Sequence, residues 1–280
     1  MTNEISNYLK YAHLQIAAEA FYGLKMRPAG TNLNRQIETR DLIKGNDRTS
    51  KFTTTDAEWF VQTWKVEEHI SNTQTGFSGT LFRALKDDPE RGIVAGELVL
   101  SFRSTEFADD AARDNQATNK MEISEKGWAF GQIADMEKWY ASLKASGKIG
   151  VSEPIAVTGY SLGGHLATAF NLLHKDDLTA MGAPVISATY TFNGAGVGKI
   201  KQGSLAEVMQ VFSDVRANGA SSRMLSAHGQ STYAALRAQF SSFSDADTAK
   251  TSMNAAIRVC SRRKWNWTKV KSNGVEQRLS

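Results

Sequence analysis

Gly159-Tyr160-Ser161-Leu162-Gly163-Gly164-His165, set directly behind the apolar run Ile155-Ala156-Val157, constrains this chain more than any other stretch. Apolar residues that break at once into glycine, serine and two more glycines read as a buried strand ending in a tight bend. The residues that follow, Leu162 to His174, have helical spacing and begin with small side chains. In that context Gly-x-Ser-x-Gly reads as a nucleophile elbow. The serine sits on a strained turn, and the glycines keep Cβ atoms out of a crowded junction. Serine needs this presentation because its hydroxyl is a poor nucleophile without a base and oxyanion donors beside it.

The pattern around the elbow predicts an α/β fold. Ile5 to Leu24 has the spacing of a helix, with Ile5, Leu9, Ala12, Ile16 and Ala20 on one stripe. Residues 29–54 read as loop and 56–63 as a short helix, and strands are expected at 64–70 and 77–85, joined by the turn-rich 71–76. A further strand follows at 97–102, then a helix over 128–143 carrying Trp128, Ile133, Met136 and Tyr140, and a strand at 187–192 ended by Asn193-Gly194-Ala195-Gly196. Strands separated by helices imply parallel pairing through crossovers. The expectation is therefore a mostly parallel central sheet flanked by helices, with a helical C-terminal region at 205–217, 232–240 and 248–259.

Composition excludes several other classes. With 280 residues, 41% of them hydrophobic and only four prolines, the chain reads as one domain spanning 1–280. A single cysteine, Cys260, leaves no internal disulfide framework. The first ten residues are polar and lack a signal-peptide core, and no stretch nears the ~18 apolar residues of a membrane span. The compartment stays open between the cytoplasm and a signal-independent secretory route. His13 lies off the apolar stripe of the first helix and is expected at the surface, while His69 alternates with Val66 and Ile70 on a strand. Neither has a companion at metal-ligand spacing, so no metal and no cofactor are expected. Gly194-Ala195-Gly196-Val197-Gly198 has the wrong spacing for a dinucleotide fingerprint.

The formal charge of +4 is unevenly spread: residues 258–280 hold seven basic side chains against Glu276, a net +6, leaving the rest at −2. Trp265 and Trp267 lie among those charges. An ordinary solvated face is the default reading of such a run. Contact with a membrane or lipid surface is the functional alternative, and nucleic acid is not expected as a partner.

Two segments together resemble the class 3 lipases, the triacylglycerol lipase and phospholipase A1-like branch of the α/β hydrolases. One is Leu98 to Glu106, which is similar to that family's apolar strand ending in Phe-Arg-Gly-Thr/Ser. The other is Val157 to Ala167, which is similar to its elbow. The likeness extends from about Phe77 to Gly198. It implies an α/β-hydrolase-type fold and a carboxylic ester hydrolase acting through an acyl-enzyme, with Ser161 as nucleophile. The backbone N–H of Leu162 gives one oxyanion donor, and the resemblance makes Thr105 the second. The family handles acyl chains, so the resemblance implies an acyl ester or lipid substrate. The stretch after Thr105 falls where the family carries its lid, and the polarity of Phe107 to Met121 tilts the expectation towards a short-chain or soluble ester. Ser104 departs from the pattern, standing where the family has glycine.

The catalytic base is the other departure. His165 lies inside the elbow helix and His174 at its end, where a cation complements the helix dipole; both read as structural. His228 with Asp214 as its partner preserves the Ser–Asp–His order, at a short interval for the family. The competing expectation is that residues 203–280 are a helical extension or insertion and the chain stops before the base. A truncated or non-catalytic hydrolase-like domain, binding lipid or a partner through the basic segment, is then the alternative to an enzyme.

Overall fold

Residues 4–24, 27–46, 49–104, 123, 127–201 and 203–218 are described by a computed structural model of the chain. Twelve elements follow in order among them. They are α1 (Glu4–Ala18), α2 (Thr39–Lys44), α3 (Thr54–Thr63), β1 (Trp64–Ile70), β2 (Gly79–Ala84), a 3-10 turn (Pro89–Arg91), β3 (Leu98–Phe102), α4 (Phe130–Ala145), β4 (Ile155–Tyr160), α5 (Leu162–His174), β5 (Ile186–Phe192) and α6 (Leu205–Asn218). Cys260, His228, Thr105 and the basic segment at 258–280 lie outside the described residues, as do the expected helices at 232–240 and 248–259.

The five strands form one sheet in the order β1-β2-β3-β4-β5. The α/β class holds, but the sheet is mixed and not mostly parallel. β1 pairs with β2, and β2 with β3, in antiparallel register. β3 pairs with β4, and β4 with β5, in parallel. The reason lies in the connections: no α-helix intervenes between β1 and β2 or between β2 and β3, so each strand doubles back on its neighbour. α4 and α5 supply the two crossovers that parallel pairing needs.

Strand alternation then sends side chains to two separate cores. Leu81, Leu98, Leu100, Phe102, Ile155 and Val157 join residues of α4, α5 and α6 on one face. Phe82, Val99 and Ala156 join residues of α1, α2 and α3 on the other. The sheet is thus covered on both sides, as a strand run rich in consecutive apolar residues requires. β3 is buried at all five positions.

Three helical details differ from the sequence expectation. α1 buries Lys10, Tyr11, Leu14, Gln15, Ala17 and Ala18, while Ile5 and Leu9 of the expected stripe are 71% and 48% exposed. Small residues at 17 and 18 let this face approach the sheet, and the buried Lys10 ammonium is neutralised by Glu97 at 2.8 Å. His13 consequently turns towards α3, its ring packing on Phe52 and Trp59. α2 falls inside the expected loop; at six residues it is too short for periodicity to show. Its N-terminus is held by a reciprocal capping box between Glu38 and Asp41, with Asp41 also bound by Arg35 at 2.7 Å.

The buried face of α1 makes a direct test. Leu14→Ala, at a fully buried position, is expected to cost about 2–5 kcal/mol of stability in denaturant melts. Leu9→Ala should stay within about 0.5 kcal/mol. Equal losses at the two positions would reinstate the Ile5–Leu9 stripe as the packed face.

Candidate active site

Ser161 joins β4 to α5. Its backbone has φ 52° and ψ −116°, a conformation that side-chain-bearing residues avoid. Among the described non-glycine residues only Tyr22, Ser161 and Asn193 have a positive φ. The strain of order 1–3 kcal/mol that such a residue carries persists only where surrounding structure imposes it. Here the Ser161 N–H donates to the Phe192 carbonyl at 3.0 Å, and the Ser161 carbonyl accepts from His165 N–H at 3.1 Å and Ala195 N–H at 2.9 Å.

Backbone contact explains the glycines. A Cβ on Gly159 would overlap the Gly163 carbonyl, one on Gly163 would overlap the Phe102 carbonyl, and one on Gly164 would meet the Gly194 Cα. The first turn of α5 is therefore wedged between the end of β3 and the turn after β5. Strand register agrees, with Phe102 opposite Gly159 and Tyr160 opposite Phe192.

The serine side chain does not cap α5, although serine at a helix start ordinarily does. The residue is half-buried, beside an exposed Tyr160. Leu162 opens α5, so its N–H belongs to the first-turn group that lacks an intrahelical acceptor. The positive end of the helix dipole lies at the same place. A hydroxyl left unused at a strained bend, next to backbone donors, is an arrangement that can attack a carbonyl and stabilise the resulting oxyanion.

The histidines divide clearly. Both ring nitrogens of the buried His165 are occupied: Nδ1 lies 3.0 Å from the Gly196 carbonyl, and Nε2 accepts from Ala129 N–H at 3.2 Å. Those partners define the neutral Nδ1–H tautomer. Burial lowers its pKa, with the Gly196 hydrogen bond acting the other way. The ring ties the start of α4 and the turn after β5 to the elbow helix. His174 contacts Asp177 at 2.7 Å and Glu137 at 3.1 Å. Burial alone would lower its pKa, but hydrogen bonding and charge from Glu137 and Asp177 outweigh it and the net direction is upward. His69 is fully buried against Thr80 at 2.8 Å, and burial holds its pKa well below the usual histidine value.

Asp214 lies on α6, where it accepts a hydrogen bond from Gln210 one turn earlier at 3.1 Å. The structure brings together Ser161 and Leu162 among the expected site residues. Among the described residues no group of His, Cys, Asp and Glu is placed to hold a metal ion, and no helix is long and apolar enough to cross a membrane.

One cluster near the site escaped the sequence reading. Val99, Ser101 and Arg103 share the face of β3 that meets α1. The Ser101 hydroxyl donates to Gln15 at 2.9 Å, and Gln15 in turn donates to Glu19 at 2.6 Å. Glu19 accepts from both the backbone N–H and the hydroxyl of Ser104, each at 2.8 Å. Arg103 donates to the carbonyls of Glu19 and Ala20 at the end of the helical segment, at 2.8 and 2.9 Å. The signal in the sequence was a lone carboxylate in the small, apolar run Ile16-Ala17-Ala18-Glu19-Ala20. Comparison with known protein families, curated proteins and solved structures finds no match to this chain.

Two measurements probe this geometry. Gly163→Ala should lose about 3 kcal/mol or more in denaturant melts, because its neighbour is backbone and cannot yield. Gly196→Ala, which meets open space, should stay within about 1 kcal/mol. The raised His174 pKa fixes a second sign. Its contribution to stability is complete below the unfolded value near 6.5 and disappears as pH rises through the folded value. The Tm difference between wild type and His174→Gln should be larger at about pH 5.5 than at about pH 9. That difference cancels the contributions of His69 and His165. A gap that widens with pH would reverse the assignment.

Proposed function

We propose that this protein is a serine carboxylic ester hydrolase of the α/β-hydrolase type, related in mechanism to the class 3 lipases and acting on acyl esters at Ser161. The observation that carries the reading is the positive-φ serine between β4 and α5, its hydroxyl not spent on capping the helix. The first-turn N–H of Leu162 and the glycine-lined contact with β3 support it.

In the proposed reaction the Ser161 Oγ attacks the ester carbonyl carbon while a histidine takes the hydroxyl proton. The C–O bond to the leaving alcohol breaks and the histidine returns the proton to that oxygen. Water then attacks the acyl-enzyme by the same path in reverse, releasing the carboxylic acid and restoring the serine. Leu162 N–H and Thr105 stabilise the tetrahedral oxyanion, and His228 with Asp214 is the proposed base pair. The Ser104 N–H is already given to Glu19, so it is not the second donor in this scheme. No metal or cofactor enters the scheme.

A fluorophosphonate probe should label the wild type and fail to label Ser161→Ala. Hydrolysis of short-chain p-nitrophenyl esters should fall with Ser161→Ala by at least about 10³-fold, to the residual rate left by oxyanion and binding groups. His228→Ala should fall comparably if it is the base; activity surviving that change but not Ser161→Ala assigns the base to another residue. An unlabelled Ser161 in folded wild type would turn the reading to its alternative, a hydrolase-like domain that binds lipid or a partner through the basic segment at 258–280.

A further inference from the structure

We infer that Glu19 is a positioning residue for the proposed site, holding Ser104 and the exit of β3 against the elbow helix. The inference rests on the hydrolase reading and deepens it by assigning a role to a residue far from Ser161 in sequence. Its basis is the double hold of one carboxylate on one residue: Oε1 accepts the Ser104 N–H and Oε2 the Ser104 hydroxyl, both at 2.8 Å. A carboxylate that takes both donors of a serine fixes its backbone and its side chain together.

The surroundings make the hold rigid. Glu19 is 4% exposed and Arg103 5% exposed. Gln15, one helical turn before Glu19, steadies Oε1 at 2.6 Å and is itself bound by Ser101 of β3 at 2.9 Å. Arg103 pins the carbonyls of Glu19 and Ala20, groups that a helix end leaves without partners, and its guanidinium lies 4.8 Å from the Phe21 ring centroid. Burial raises the Glu19 carboxyl pKa, with Arg103 and the donors from Ser104 and Gln15 acting the other way.

This clamp meets the elbow through backbone. The Phe102 and Arg103 carbonyls are the atoms nearest a Cβ placed on Gly163, so a shift of the strand exit moves directly against the first turn of α5. Glu19 also accounts for Ser104. The positive-φ residues do not include it, so glycine is not required there, and the added hydroxyl has a dedicated acceptor. Serine at 104 and glutamate at 19 form one complementary unit.

The test compares wild type, Glu19→Ala, Glu19→Gln and Ser104→Ala, each checked for a cooperative melt. Glu19→Ala is expected to lower kcat on a p-nitrophenyl ester by about 10- to 100-fold, the scale of a misplacement near 1 Å, with KM changing less than about 3-fold. Glu19→Gln keeps the acceptor for the Ser104 N–H and offers an amide N–H to its hydroxyl, so it should recover activity to within about 5-fold of wild type. Ser104→Ala removes only the hydroxyl link and should fall between the two; it carries the test if Glu19→Ala does not fold. Hydrogen exchange at the Ser104 amide gives a readout independent of catalysis, and protection should drop in Glu19→Ala or, failing that, less steeply in Ser104→Ala. Wild-type kcat or unchanged Ser104 protection in a folded Glu19→Ala overturns the inference alone. A wild type unlabelled at Ser161 overturns the hydrolase reading, and the inference with it.

Discussion

The structure around Ser161 depends on backbone meeting backbone where the first turn of α5 enters between β3 and the turn after β5. Gly159, Gly163 and Gly164 each face a main-chain atom closer than a side chain tolerates. No rotamer change relieves such a contact, because the contacting atoms belong to the main chain. The three glycines therefore permit one approach of helix to sheet, and that approach sets the bend angle at 161. Strand register, helix origin and the conformation of the serine follow from one packing constraint.

The α1 side of the sheet completes this constraint from behind. β3 is buried along its length, and its exit carries the buried polar groups Ser101 and Arg103, which must be satisfied where water does not reach, followed by the half-buried Ser104. Gln15 and Glu19, four residues apart on one face of the helical segment, meet that demand. A network in which Ser101, Ser104 and Arg103 donate, the Glu19 carboxylate accepts and Gln15 does both has few alternative arrangements, so it holds register more sharply than apolar packing of equal area. The ionic pairs on the antiparallel side serve a different purpose: Glu68 binds Lys148 and the Trp139 indole, fastening α4 and the loop after it to β1. The first network borders the elbow; the second fixes the helix that crosses over to it.

Legibility in the sequence followed the strength of local signals. The elbow was readable to the residue, with β4 before it and α5 at Leu162–His174 after it, because glycine spacing and an apolar run are both local. Strand positions also emerged, while the direction of the first two pairings did not: the mostly parallel sheet was inferred from helices elsewhere in the chain, and no α-helix lies between β1 and β3. The buried face of α1 was misread because Ile5 and Leu9 are strongly apolar yet exposed, whereas Ala17 and Ala18 contribute by being small. Lys10 and Gln15 are buried with partners that lie more than eighty residues away. Periodicity has no access to such long-range pairs, and for the same reason the Glu19 cluster stayed hidden.

The conformation of Ser161 belongs to its backbone and not to its hydroxyl. Three main-chain hydrogen bonds converge on residue 161, each worth about 1 kcal/mol net, against strain of about 1–3 kcal/mol for the positive φ. The two are of the same size, so the bend needs the glycine contacts as well as the hydrogen bonds to persist. None of these terms involves Oγ. A chain is free to place other small side chains at such a bend, and alanine or glycine there would offer no nucleophile. The fold therefore accounts for the bend without invoking catalysis, while the presence of a hydroxyl that caps nothing is the part that packing leaves unexplained. That residual is what gives the hydrolase reading its force, and it also means that removing the hydroxyl separates chemistry from folding.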